Sequence, residues 1–65
     1  MTEKLLLSVP EAAAKLSIGR SLAYELVLRG EIASVKIGKS RRVPAGEVER
    51  YVARLIAEQT GGEAA

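Results

Sequence analysis

The stretch SVPEAAAKLSIGRSLAYELVLRG, residues 8–30, predicts two short helices joined by a tight turn. Ser8 followed three residues later by Glu11 forms a capping box, and Pro10 is tolerated in a first helical turn, so the first helix begins at Val9. Apolar residues then recur at helical spacing and give this helix one narrow face for a core, at Val9, Ala12, Ala13 and Leu16.

The second helix is predicted to begin at Arg20, after the turn Ser17-Ile18-Gly19, and to run for roughly ten residues. Arg29 suits a last helical turn, and Gly30 suits the left-handed residue that follows it. The apolar face of this helix comprises Ala23, Leu26 and Val27, with Ile18 and Leu22 beside them.

A β-hairpin is predicted from residues 32–37 and 41–43. Val35 and Ile37 alternate with polar residues, which is typical of a strand. The turn is assigned to Gly38-Lys39-Ser40, because glycine suits a hairpin turn, and Pro44 stops the second strand.

A third helix fits Gly46 to about Ala57. Its apolar residues recur at helical spacing, at Val48, Tyr51, Val52, Leu55 and Ile56, while Glu47, Glu49, Arg50 and Arg54 face water. Residues 5–7, three leucines, either add a short strand against the hairpin or cap the core, and the sequence leaves both alternatives open.

These elements predict a mainly α fold with a small β-hairpin, that is, a winged helix-turn-helix with three helices and a two-stranded wing. We assign residues 1–58 to this domain. Residues 59–65 are predicted to be a disordered tail, because they contain nothing with which to build a core.

The charge of the chain is concentrated in its middle segment. The net charge is only +2, but six basic residues oppose Glu25 and Glu31 between positions 20 and 42, a local charge of +4. The basic residues are Arg20, Arg29, Lys36, Lys39, Arg41 and Arg42. Such a patch suits a polyanion.

The composition argues against several other functions. The chain has no Cys, His or Asp and no glycine-rich phosphate loop, so we predict no enzyme activity, catalytic residue, metal site or cofactor. Its apolar runs are too short to span a membrane, and the N-terminus lacks the features of a secretory signal. We therefore expect a cytoplasmic protein.

Double-stranded DNA is the expected partner. The second helix can lie in the major groove, where its N-terminal amides, Arg20 and Ser21 reach phosphates or base edges. Arg20 can pair bidentately with guanine, the Tyr24 hydroxyl can bind a phosphate or a base, and Glu25 can accept from a cytosine amino group. The wing adds Lys36, Lys39, Ser40, Arg41 and Arg42, which can follow the DNA backbone or enter the minor groove.

Structural alternatives exist for three of these residues. Tyr24 can be a half-buried core residue with its hydroxyl in water. Glu25 can be merely solvated or pair with Arg29 one helical turn later. Arg42 can brace the hairpin.

The chain resembles the excisionase-like branch of the MerR-type winged helix-turn-helix domains, a family that includes phage recombination directionality factors. The resemblance covers nearly the whole chain and rests on these segments: Leu7-Ser8-Val9-Pro10-Glu11-Ala12-Ala13, Leu16-Ser17-Ile18-Gly19-Arg20-Ser21, Tyr24-Glu25-Leu26-Val27, Arg29-Gly30-Glu31-Ile32, Val35-Lys36-Ile37-Gly38, Arg42-Val43-Pro44 and a closing helix through Tyr51.

The resemblance implies DNA binding without catalysis at the bacterial nucleoid, by several copies that associate head to tail, and a phage integrase as partner. The chain departs from the family at Leu22, where Ser or Thr is usual, and at Glu25 and Leu28, where basic residues are common. Fewer phosphate contacts are therefore expected from the second helix. Leu28 can instead contact a neighbouring copy.

Three roles compete. An excisionase bends an attachment site and directs an integrase, whereas a small transcriptional regulator binds a promoter. A ligand-sensing MerR-type regulator continues into a long dimerisation helix, and this chain stops soon after its third helix, which favours the excisionase. In a protein-interaction module, the third helix would dock on a partner through Tyr51, Leu55 and Ile56.

Overall fold

The computed structural model describes residues 4–60 of the chain. This range contains three helices and a small antiparallel sheet, which confirms the predicted winged helix-turn-helix fold. In chain order the elements are β1 (Leu6–Leu7), α1 (Val9–Leu16), α2 (Arg20–Leu28), β2 (Val35–Ile37), β3 (Ser40–Pro44) and α3 (Ala45–Thr60).

The predicted capping box opens α1. The Ser8 hydroxyl accepts a hydrogen bond from the Glu11 amide at 3.1 Å, and the Ser8 amide donates to Glu11 Oε1 at 2.8 Å. These two bonds satisfy amides that a helix start otherwise leaves without partners, so α1 begins at Val9 as predicted.

The turn between α1 and α2 depends on a left-handed residue. Ser17 has φ 59°, and the Ile18 amide donates to the Ala13 carbonyl at 3.0 Å. The turn places α2 against α1, and the small residues Ala12 and Ala13 of α1 and Ala23 of α2 are all buried in the same core. Small side chains let the two helix backbones approach each other.

The end of α2 also follows the prediction. Gly30 takes a left-handed conformation with φ 80°, and the Glu31 amide donates to the Leu26 carbonyl at 3.0 Å. The Ile32 amide donates to the same carbonyl at 3.4 Å. The chain is therefore wrapped around the end of α2, which brings the Ile32 side chain into the core.

The three strands form one antiparallel sheet with the order β1-β3-β2. Leu6 pairs with Pro44 and Leu7 with Val43, and Val35, Lys36 and Ile37 pair with Arg42, Arg41 and Ser40. The two alternatives for residues 5–7 are thus combined, because Leu6–Leu7 form a strand on β3 and Leu7 also belongs to the core.

The structure corrects the predicted hairpin in three places. Ile32 is not in a strand, since the end of α2 holds it in the core, and β2 begins only at Val35. The turn has two residues rather than three, because Ser40 pairs with Ile37. Pro44 does not lie beyond the second strand but is its last residue.

Ile32 and Val43 are the largest side chains that are fully buried in the core. The core consists of nine buried apolar residues: Leu7, Val9, Ala12, Ala13, Ala23, Leu26, Ile32, Val43 and Val48. α1 lies at its centre and packs against α2, α3, β1 and β3. No helix within residues 4–60 is both long enough and apolar enough to cross a membrane.

α3 is longer than predicted and contributes less to the core. It begins at Ala45 and continues to Thr60, so it includes residues 59 and 60 of the predicted tail, while 61–65 lie outside the described residues. Of its apolar residues only Val48 is buried, while Tyr51 is partly buried against the core. Val52 and Ile56 are exposed. Leu22, which was predicted to lie beside the buried face of α2, is 44% exposed and does not belong to the core.

Candidate nucleic-acid interface

The outward face of α2 presents its predicted contact residues to solvent. Arg20 is the first residue of the helix, and Gly19 before it caps the helix without a side chain. Arg20, Ser21, Tyr24 and Glu25 are all exposed, whereas Ala23 and Leu26 on the opposite face are buried. Tyr24 is 47% exposed, so it is not a core residue. The helix start therefore offers a guanidinium and two hydroxyls to a ligand.

Glu25 takes part in an ion-pair group at the end of α2. Arg29 Nη2 contacts Glu25 Oε2, and Arg29 Nη1 donates to Glu31 Oε2 at 3.1 Å. The hydrogen bonds from Arg29 to Glu31 and to Glu25 raise the pKa of the guanidinium above its usual value. The predicted i, i+4 alternative for Glu25 is thus present, and Arg29 is held by protein carboxylates.

The register of the wing divides its predicted contact residues between two faces. Cross-strand partners point to the same side of a sheet and successive residues to opposite sides. Lys36 and its partner Arg41 therefore lie on the side of the buried Val43, beyond the edge of the core. Ser40 and Arg42 lie on the other side together with the exposed Ile37 and Val35. Lys39 occupies the turn between the strands.

Two wing arginines have hydrogen-bond partners inside the protein. Arg41 Nη1 donates to Ser34 Oγ at 3.1 Å, and Arg42 Nη1 donates to the Arg41 carbonyl at 3.2 Å. Arg42 is partly buried, but its hydrogen bond goes to the preceding residue and does not cross the hairpin, so the alternative that it braces the hairpin stays a prediction. Ser34 is not among the contact residues predicted for the wing. A two-residue turn at residues 38–39 would have revealed it, because that register places Ser34 diagonally across from Arg41.

The ten cations of the chain, which all lie within the described residues, differ in whether a glutamate pairs with them. Within residues 4–60, Lys4 pairs with Glu11, Arg29 with Glu25 and Glu31, and the α3 arginines with glutamates of their own helix. The cations that have no glutamate partner in that range are Lys15, Arg20, Lys36, Lys39, Arg41 and Arg42. Five of these six belong to the predicted DNA interface. Excess positive charge is thus located at the start of α2 and on the wing.

This arrangement defines a winged helix-turn-helix domain of the DNA-binding class, in which an exposed helix follows a tight turn and a basic hairpin lies further along the chain. A family model described as a helix-turn-helix domain matches residues 6–55.

Two relatives identify the branch of the helix-turn-helix family to which the chain is similar. Over 60 residues the chain is 48% identical to a probable excisionase from Saccharopolyspora erythraea, an alignment that covers 92% of this chain and 61% of that protein. Over 53 residues it is 42% identical to an excisionase from Streptomyces ambofaciens, covering 82% of this chain and 86% of the relative. No solved structure matches the chain. The chain belongs to the excisionase-like family of helix-turn-helix DNA-binding domains, which confirms the resemblance described above.

Proposed function

We propose that the chain is an excisionase, or recombination directionality factor. It binds attachment-site DNA in several copies arranged head to tail, bends that DNA and directs an integrase towards excision in the bacterial cytoplasm. The similarity to two excisionases supports this role. Because the chain spans only 61% of the length of the Saccharopolyspora relative, the complete activity is proposed from the shared domain.

One observation carries the proposal: the unequal ion pairing of the cations. Among the described residues, Arg20 and Lys39 have no glutamate partner, although the same chain pairs Arg29 with two glutamates. Cations that neutralise DNA phosphates release condensed counterions, and this release is the main source of affinity for DNA. Cations without internal partners are available for that exchange.

The residues of the proposed interface have separate roles. Arg20, Ser21 and Tyr24 enter the major groove, where Arg20 pairs with a guanine or a phosphate. Arg29 binds Oε2 of Glu25 and so orients the Glu25 carboxylate. The other oxygen of Glu25, Oε1, accepts a hydrogen bond from a cytosine amino group. On the wing, the DNA backbone is followed by Lys36, Lys39, Ser40, Arg41 and Arg42.

Bending follows from the same contacts. Smooth bending of a DNA site of about 20–30 base pairs by about 40–90° costs on the order of 1–6 kcal/mol, and additional phosphate contacts must offset that cost. The wing supplies such contacts at its tip, through Lys39. Each added copy contributes another wing, so a row of copies stabilises a curved DNA path.

The test is an electrophoretic mobility shift over a salt series. The probes are a labelled attachment-site fragment of the genetic element that encodes the chain and a fragment of its own promoter. Lys39→Ala should weaken binding and reduce the slope of log affinity against log salt by about 0.9, which is the value for one phosphate contact. Arg20→Ala should also weaken binding, with the same change of slope if Arg20 binds a phosphate and with relaxed specificity at one base pair if it binds a guanine. Arg50→Ala is the control, because Arg50 is an exposed cation on α3 that already pairs with Glu47.

The outcomes separate the competing roles. Several shifted bands on the attachment site, with anomalous mobility that depends on where the site lies in the fragment, would support a DNA-bending excisionase. Binding to the promoter alone would favour a transcriptional regulator. Absence of binding at low salt would overturn both and leave a protein-interaction module, for which α3 exposes Val52 and Ile56.

A further inference from the structure

Leu28 is the most exposed large apolar residue of α2. Its side chain is 84% exposed at the last position of the helix. At 100° per residue, Leu28 lies within about 20° of Ser21 and about 40° of Tyr24 around the helix axis. The buried residues Ala23 and Leu26 lie on the opposite side. Leu28 therefore belongs to the same outward stripe as the two hydroxyl residues of the proposed interface.

The chemistry of this stripe changes along the helix. Its first half carries the hydroxyls of Ser21 and Tyr24, which form hydrogen bonds. Its second half carries Glu25, which is bound by Arg29, and Leu28, which forms no side-chain hydrogen bond. Base edges in the major groove are almost entirely polar, and the exception is the C5-methyl group of thymine. An apolar side chain on a groove-facing stripe matches that group.

We propose that Leu28 is a specificity-determining residue that contacts the methyl group of a thymine in the major groove. This inference rests on the proposed DNA-binding function and adds a base preference to it. A protein partner is the less favoured occupant, because the helix neighbours of Leu28 on this stripe are polar or charged and a single leucine does not form an extended apolar patch.

The experiment removes the methyl group from the DNA and the side chain from the protein separately. A synthetic duplex spans the footprint of one copy on the attachment site, and a set of otherwise identical duplexes replaces each thymine in turn by deoxyuridine. Affinities are measured for the wild type and for Leu28→Ala. The control is Leu5→Ala, because Leu5 is also 84% exposed but precedes β1 and lies outside α2.

For the wild type, we expect deoxyuridine at one position, or at two adjacent ones, to weaken binding about fourfold, the effect of one buried methyl group. Leu28→Ala should bind the thymine duplex more weakly by a similar factor and should no longer distinguish thymine from deoxyuridine there. Leu28→Met, which retains an apolar side chain, should restore part of the distinction. Leu5→Ala should behave as the wild type.

Other results would overturn the inference. If Leu28→Ala distinguishes the two duplexes as well as the wild type does, or if the wild type distinguishes them nowhere, Leu28 does not read a thymine. If Leu28→Ala binds a single site normally but loses cooperativity between neighbouring sites, Leu28 contacts another copy instead. If the wild type protects no specific footprint, the proposed function fails together with the inference, and that result is distinct from a footprint without thymine discrimination.

Discussion

Glu11 has two functions at the start of α1. Its carboxylate accepts from the Ser8 amide in the capping box, and it also pairs with Lys4. The hydrogen bond from Lys4, followed by that from the Ser8 backbone, lowers the pKa of Glu11 from its usual 4.5 to about 2. A carboxyl group whose folded pKa is lowered stabilises the fold above its unfolded pKa. This contribution is lost as the pH falls from about 4.5 to about 2.

Replacement of Glu11 by Gln should therefore reduce the loss of stability in acid. Glutamine can still accept from the Ser8 amide, so the capping box is retained while the charge is removed. We expect the urea midpoint of Glu11→Gln to fall less than that of the wild type between pH 4.5 and pH 2, the window set by the two pKa values. Glu49→Gln is the control, since Glu49 has no ion-pair partner within residues 4–60. Equal losses in Glu11→Gln and the wild type would contradict this assignment.

The turn of the wing depends on the conformation of Gly38. This turn contains two residues, and Gly38 takes the first of them with φ 60°. A two-residue hairpin turn that follows the twist of its strands needs a positive φ at this position, and side chains with a Cβ disfavour that conformation. The hairpin register, and with it the separation of Lys36 and Arg41 from Arg42, depends on this turn.

Gly38→Ala should destabilise the protein by about 1–2 kcal/mol through the left-handed conformation alone, because a Cβ there meets no heavy atom within 4 Å. Gly46→Ala is the matched control. Gly46 lies in α3, where a Cβ also meets no heavy atom within 4 Å and φ is not positive. Gly46→Ala should therefore stabilise the protein by about 0.4–1 kcal/mol. Chemical denaturation measures both changes, and equal effects of the two substitutions would show that the turn conformation is not required.

One hydrophobic core joins the helix pair α1–α2 to the sheet that carries the wing. Ile32 lies between α2 and β2 in the chain and is only 1% exposed, in the same core as Val43 of the sheet and Ala13 of α1. The position of the wing relative to α2 therefore depends on this core, and a small domain has few other buried side chains to replace it.

Ile32→Val, which removes one buried methyl group, should lower the free energy of unfolding by about 0.5–1.5 kcal/mol. Ile37→Val removes the same group from a side chain that is 55% exposed on the wing, and its effect should remain within about 0.5 kcal/mol. Thermal unfolding followed by circular dichroism compares the two variants. A larger loss at Ile37 than at Ile32 would mean that the core is not located as described.

Local patterns in the sequence predicted those parts of the fold that local interactions control. The capping box from Ser8 to Glu11 and the left-handed Gly30 need only neighbouring residues, so the start of α1 and the end of α2 were predicted correctly. The length of β2 was not, because Ile32 has the residue type of a strand but is held by the Leu26 carbonyl. The same limit applies to α3, whose helical spacing predicts an apolar face without indicating how far the core extends beneath it.

In the candidate site, too, some features follow from local sequence and others from tertiary packing. By itself the sequence determined which residues are charged, which segment collects the basic ones, and which residues of α2 lie on its outward face, because composition and helical period are local properties. Only the tertiary structure decided which side of the wing each contact residue occupies and that Ile32 belongs to the core rather than to a strand. These features depend on strand register and on how residues separated along the chain approach each other, and such distances are set by packing of the core.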